Sequence, residues 1–87
     1  MKQEKFEPVM TAVSVIKEDV QKNINNNIIV REYNKSTKKL SNEYNGKISG
    51  VYRNLFTVDT KENNLIQKKS IMYTDVSIGL VDYKVIG

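Results

Sequence analysis

Six cations fall between residues 31 and 53: Arg31, Lys35, Lys38, Lys39, Lys47 and Arg53, opposed only by Glu32 and Glu43. On either side the charges cancel, so the whole net charge of +4 resides in that one segment. Concentrated basic charge is the electrostatic footprint of a polyanion partner. Lysine ammonium groups neutralise phosphates one at a time, and each contact steepens the salt dependence of binding. Tyr33 stands within the run and adds a ring face. Arg31, Tyr33, Lys35, Lys38, Lys39, Lys47 and Arg53 are therefore the candidate surface for a polyanion or a protein partner. Selective reading of bases needs rigid groups, usually arginine or asparagine, held against a base edge. Only two arginines are present, so this surface predicts weak, nonspecific nucleic-acid contact. The plainer reading is a solvated turn whose lysines serve solubility.

Catalysis has little to draw on. The chain has no cysteine and no histidine, which removes disulfides, thiol nucleophiles, Cys/His zinc sites and a Ser-His-Asp relay. Glu32, Glu43, Asp59, Glu62, Asp75 and Asp82 would need burial or a charged neighbour to act as acid or base. Asp59 and Glu62 flank a turn, where carboxylates face water. Asp75 opens a short turn in Tyr73-Thr74-Asp75-Val76 and reads as an Asx-type cap on backbone N–H groups. Gly46 and Gly50 make no phosphate loop, because no Gly-Lys-Ser/Thr follows them. The expectation is a non-enzymatic protein with no cofactor and no bound metal.

The elements that position the basic run are marked by periodicity. Val9, Val13, Ile16 and Val20 recur at i, i+4, i+7 and i+11, one face of an amphipathic helix. Pro8 suits its first position, where a missing N–H costs nothing. The run Asn23-Ile24-Asn25-Asn26-Asn27 stops it, since asparagine tolerates the left-handed conformation that ends helices. Runs rich in β-branched and aromatic residues then predict strands over 28–33, 43–52, 55–60, 65–72 and 78–86. Residues 34–39 form a polar turn, 61–64 a tight turn, and 73–76 a brief turn before the last strand. Gly46 and Gly50, inside the long second strand, mark bends or bulges. Tyr33, Tyr44, Tyr52, Tyr73 and Tyr83 read as wall residues with their hydroxyls at the rim.

A helix followed by five short antiparallel strands, the second long and bent, describes a mainly β SH3-like or Sm-like barrel. An OB-fold would place a helix between the third and fourth strands, where only four turn residues stand. The chain of 87 residues suits one domain over 9–87 behind an N-terminal tail, 1–8. The longest apolar run, Ile28-Ile29-Val30, cannot span a bilayer. Met1 to Glu7 mixes acids with bases and lacks a signal-peptide core. A cytoplasmic location follows as the expectation, with no membrane partner.

The order Glu43-x-x-Gly46-x-Ile48-x-x-x-Tyr52-x-x-Leu55-Phe56-x-Val58, then Ser70-x-x-Tyr73-Thr74-Asp75-Val76, resembles the Veg family of small bacterial proteins. Ile16-Lys17-x-x-Val20-x-x-Asn23-Ile24 is similar to that family's opening helix, so the likeness runs over residues 12–83. One departure is the first turn. Where the family is rich in Gly and Arg, this chain has Lys35-Ser36-Thr37-Lys38-Lys39, which keeps charge without glycine freedom or arginine forks. The resemblance implies a cytoplasmic Sm-like barrel that stimulates biofilm formation. It also implies regulation of DNA-templated transcription by protein contact with a repressor. It carries over no catalytic residue, and it casts Gly46 as a bend, Phe56 and Val58 as core, and Asp75 as a cap. The expected partner is a transcriptional regulator, with weak RNA or DNA binding by the basic hairpin as the alternative. A short exposed edge strand would also permit a homodimer.

Overall fold

The computed structural model describes the backbone of residues 9–87 and the side chains of 13–87. Helix α1 (Val9–Lys22) leads into β1 (Asn27–Tyr33), β2 (Leu40–Val51), β3 (Leu55–Glu62) and β4 (Leu65–Met72), then helix α2 (Tyr73–Ser77) and β5 (Val81–Val85). The expected tail, Pro8 and the Val9 side chain lie outside the described residues.

The asparagine run ends α1 as its chemistry predicts. The Asn23 N–H donates to the Val20 carbonyl at 3.0 Å, and Asn25 takes φ 73°. The same residues tie the helix to the sheet: the Asn25 N–H donates to the Ile48 carbonyl at 2.8 Å, and the Ile48 N–H returns to Asn26 at 3.2 Å. On the core-facing side of α1, Val20 is fully buried, while Val13 and Ile16 pack against the core.

All neighbouring strands pair antiparallel in the order β4-β3-β2-β1-β5. One irregularity of β2 where it faces β3 bends it. A bulge lies between Ile48 and Gly50, where the pairing with β3 shifts by one residue. Gly46 has a different role from the expected bend: a Cβ there would come within 2.4 Å of Val58 Cγ1, so glycine is required by close packing. The β3–β4 connection is tighter than four residues. Asn63 and Asn64 alone make it, both at positive φ (52° and 68°), as a two-residue type I′ hairpin requires.

The expected barrel is not closed. β4 and β5 are the two ends of one open sheet, not hydrogen-bonded to each other. The physical reason is the short final strand: residues 78–80 are spent turning out of α2 through Gly79 at φ 85°, which leaves five residues that pair with β1. The gap is bridged by α2. Asp75 lies inside this helix, three residues in, and the cap expected of its side chain is absent. The residue before the helix is Met72, and no side chain caps it. Asp75 instead places a negative charge in the first turn, where the helix dipole favours it.

The core sits on one face of the sheet, made by Val20, Ile28, Val30, Ile48, Phe56, Val58, Ile71 and Tyr73. Phe56 is its hub. Its ring stacks on Tyr73 at 5.7 Å between centroids and meets Tyr83 edge-on at 5.8 Å. The buried threonines are satisfied: Thr60 donates to the Asn45 carbonyl at 2.7 Å, and Thr57 shares a 2.9 Å hydrogen bond with Ser49.

Candidate functional site

The β1–β2 turn carries Lys35, Lys38 and Lys39, all exposed. It is built by Asn34, whose side-chain oxygen accepts from the N–H groups of Ser36 and Thr37 at 2.8 and 3.0 Å. The Asn34 N–H donates to the Lys39 carbonyl, and the Lys38 N–H donates back to Asn34, both at 2.8 Å. Lys38 occupies φ 64°, a position that suits glycine or asparagine better. Three ammonium groups therefore share one hydrogen-bonded loop. That is the compact part of the basic surface.

The other candidate residues are dispersed. Arg31 points away from the core face and faces acids on both neighbouring strands, Glu43 on β2 and Asp82 on β5. Its Nε lies 3.8 Å from Glu43 Oε1, an exposed pair worth at most about 1 kcal/mol. Tyr33 ends β1, its N–H donating to the Leu80 carbonyl at 2.9 Å. Lys47 stands opposite Asn27, at the end of the β1–β2 ladder away from the turn. Arg53 sits in the β2–β3 connection, beyond the far end of β2. The seven residues do not form one patch.

Lys47 belongs to a different feature. A groove of about 590 Å³ crosses β1 to β4 and reaches the residue after β5, lined by Asn27, Asn45, Gly46, Lys47, Asp59, Thr60, Lys61, Ile66 and Ile86. Ile66 from β4 and Ile86 after β5 are its apolar ends, and Lys47 and Lys61 rise between them. Asp59, opposite Lys47 in the ladder, is engaged elsewhere: Lys68 donates to it at 3.0 Å and to Ser49 at 3.3 Å. That hydrogen bond from Lys68 holds the Asp59 carboxyl below the usual carboxylate range. Asn27, Asn45, Lys61, Ile66 and Ile86 were not legible as a site. The alternation within each strand could have put Asn45 with Lys47, and Lys61 with Asp59, on one face. Their convergence depends on the bulge and the curl of the sheet.

Tyr44, Tyr73 and Tyr83 serve the scaffold. The Tyr73 hydroxyl donates to the Tyr52 carbonyl at 3.0 Å, and the Tyr83 hydroxyl to Asp19 at 2.5 Å, latching α1 to β5. Burial, then the Asp19 hydrogen bond, pushes the Tyr83 phenol well above its ordinary range. Burial and the neighbouring Glu32 charge push Tyr44 up to about 12, and Lys69 lies 4.8 Å over its ring. Among the described residues there is no cluster of three or more His, Cys, Asp or Glu that could hold a metal ion. No helix among them is long and apolar enough to cross a membrane.

No curated protein matches the chain. Residues 11–81 match the family model described as biofilm formation stimulator VEG. The match runs from the first turn of α1 to the first residue of β5, taking in four complete strands, the three connections between them and α2. With that span inside a single family model, the chain belongs to the Veg family of biofilm formation stimulators.

Proposed function

We propose that this chain is a non-enzymatic regulator of DNA-templated transcription, stimulating biofilm genes by protein contact with a repressor. The family match over residues 11–81 carries the reading, because its description is that of a stimulator and not of a catalyst. We place its action in the bacterial cytoplasm. The strand order, with a short helix before the last strand, supports an SH3-like or Sm-like barrel opened along one seam. An open sheet suits an adaptor, since unpaired edges and uncovered faces are available to partners.

The test is capture of the tagged full chain from a host bacterium under native conditions, paired with operator occupancy of any repressor recovered. The expected result is stoichiometric recovery of a DNA-binding repressor whose operator occupancy falls when the chain is overproduced. Recovery without any loss of occupancy, or no repressor above background, overturns the reading.

A second reading rests on one observation, the three lysines gathered on the β1–β2 turn. In it the turn contacts RNA or DNA weakly and without sequence preference, through phosphates alone.

A further inference from the structure

The groove across the outer face of the sheet has a chemistry that specifies its occupant. We infer that it docks a short peptide segment of a partner protein, with acidic residues at its centre and apolar residues on both flanks. The inference rests on the regulatory reading in one respect only, that the partner is a protein. Its ends are Ile66 and Ile86, 73% and 51% exposed, large apolar side chains whose burial is deferred to a complex. Between them stand Lys47 and Lys61, which among the described residues form no ion pair, whereas the nearby Asp59 is already paired with Lys68. The groove therefore presents uncompensated positive charge at its centre and apolar surface at its extremities. A complementary segment has the reverse charge and the same apolar spacing.

Size and floor agree with a peptide. The volume of about 590 Å³ falls within the roughly 300–1,000 Å³ of ordinary ligand clefts. Gly46 contributes only backbone to the floor, and Asn27 and Asn45 add amides that can donate to and accept from a peptide main chain. A nucleic-acid strand fits less well. Single-strand binding relies on aromatic platforms for the bases, and none of the five tyrosines lines this groove.

The experiment is an amide-resolved NMR titration of the full chain with a synthetic peptide carrying two central glutamates flanked by leucines. Shifts are expected at Asn27, Asn45, Gly46, Thr60, Lys61 and Ile66. K47E/K61E should weaken binding at least about tenfold, and Ile66→Ser should weaken it as well, each with the native amide spectrum retained. A peptide with lysines replacing the glutamates should prefer K47E/K61E over the unmodified protein. Shifts confined to the 34–39 turn, or equal affinity in K47E/K61E, overturn the assignment. So does a single-stranded DNA oligomer that moves the groove amides at lower concentration than the peptide. A repressor captured equally by the unmodified chain and by K47E/K61E refutes the groove and leaves the regulatory reading standing. If the unmodified chain captures none, that reading falls and the titration alone decides the groove.

Discussion

A Cβ at Gly46 would approach Val58 Cγ1 to 2.4 Å and the Asp59 carbonyl oxygen to 2.8 Å. Backbone oxygen cannot rotate aside, so Gly46→Ala forces the β2–β3 pair apart and should cost about 1–3 kcal/mol, read as a lowered urea midpoint. That glycine was visible in the sequence as an irregularity, but its reason was not, because the contact is with a residue twelve positions on. A second residue-scale prediction concerns alkali. Unfolded tyrosine releases its proton near pH 10, whereas folded Tyr44 holds its own to about 12. The unfolded state then binds fewer protons across that interval, so stability present below pH 10 drains away as pH rises through it. Tyr73 and Tyr83 are shifted in the same direction. Denaturation midpoints at pH 9 and pH 11 should show the fall, and Tyr44→Phe should make it smaller.

At the scale of elements, α1 meets the sheet through apolar packing at Val13, Ile16 and Val20, through the backbone bonds of Asn25 and Asn26 with Ile48 just past its end, and through a side-chain latch, Tyr83 to Asp19. Tyr83→Phe keeps the edge-on contact with Phe56 and removes only the latch. The expected loss is about 1 kcal/mol, with faster amide exchange in α1 than in the strands. A loss spread evenly over all elements would show that the helix has no separate attachment. Much of this arrangement could be read beforehand, because helix period, strand alternation and the asparagine stop are local signals. Residues 65–72 were bounded correctly for that reason. The local signals misjudged the ends of β2 and β5. Leu40 to Asn42, all exposed, fell outside the strand expected over 43–52, yet Leu40 pairs with Tyr33 and Asn42 with Glu32 across the hairpin. Residues 78–80 are apolar enough to read as strand, yet they complete the turn out of α2. Closure of the sheet was misread for a related reason, since it depends on how far β5 reaches, which no local pattern encodes.

For the molecule as a whole, the question is whether the net charge of +4 acts as one field or as separate features. The sequence offered one basic segment, and folding divides it. Arg31 is opposed by Glu43 and Asp82, Lys47 joins Lys61 in the groove, and Arg53 stands at the other end of β2. Only Lys35, Lys38 and Lys39 stay together, because six consecutive residues of a hydrogen-bonded turn cannot separate. If nucleic acid binds at all, these three should dominate its salt dependence. Changing them together to Gln should flatten the slope of log K against log salt by up to about 3 units, measured by fluorescence anisotropy on a duplex and on single-stranded RNA. The same triple variant should leave peptide binding in the groove unchanged, because Lys47 and Lys61 are distant from the turn along the strands. A loss of both activities in the triple variant would mean that the positive charge works as one field. A loss confined to nucleic acid would mean that this small sheet presents two independent surfaces, one for phosphates at the hairpin tip and one for an acidic peptide across its strands.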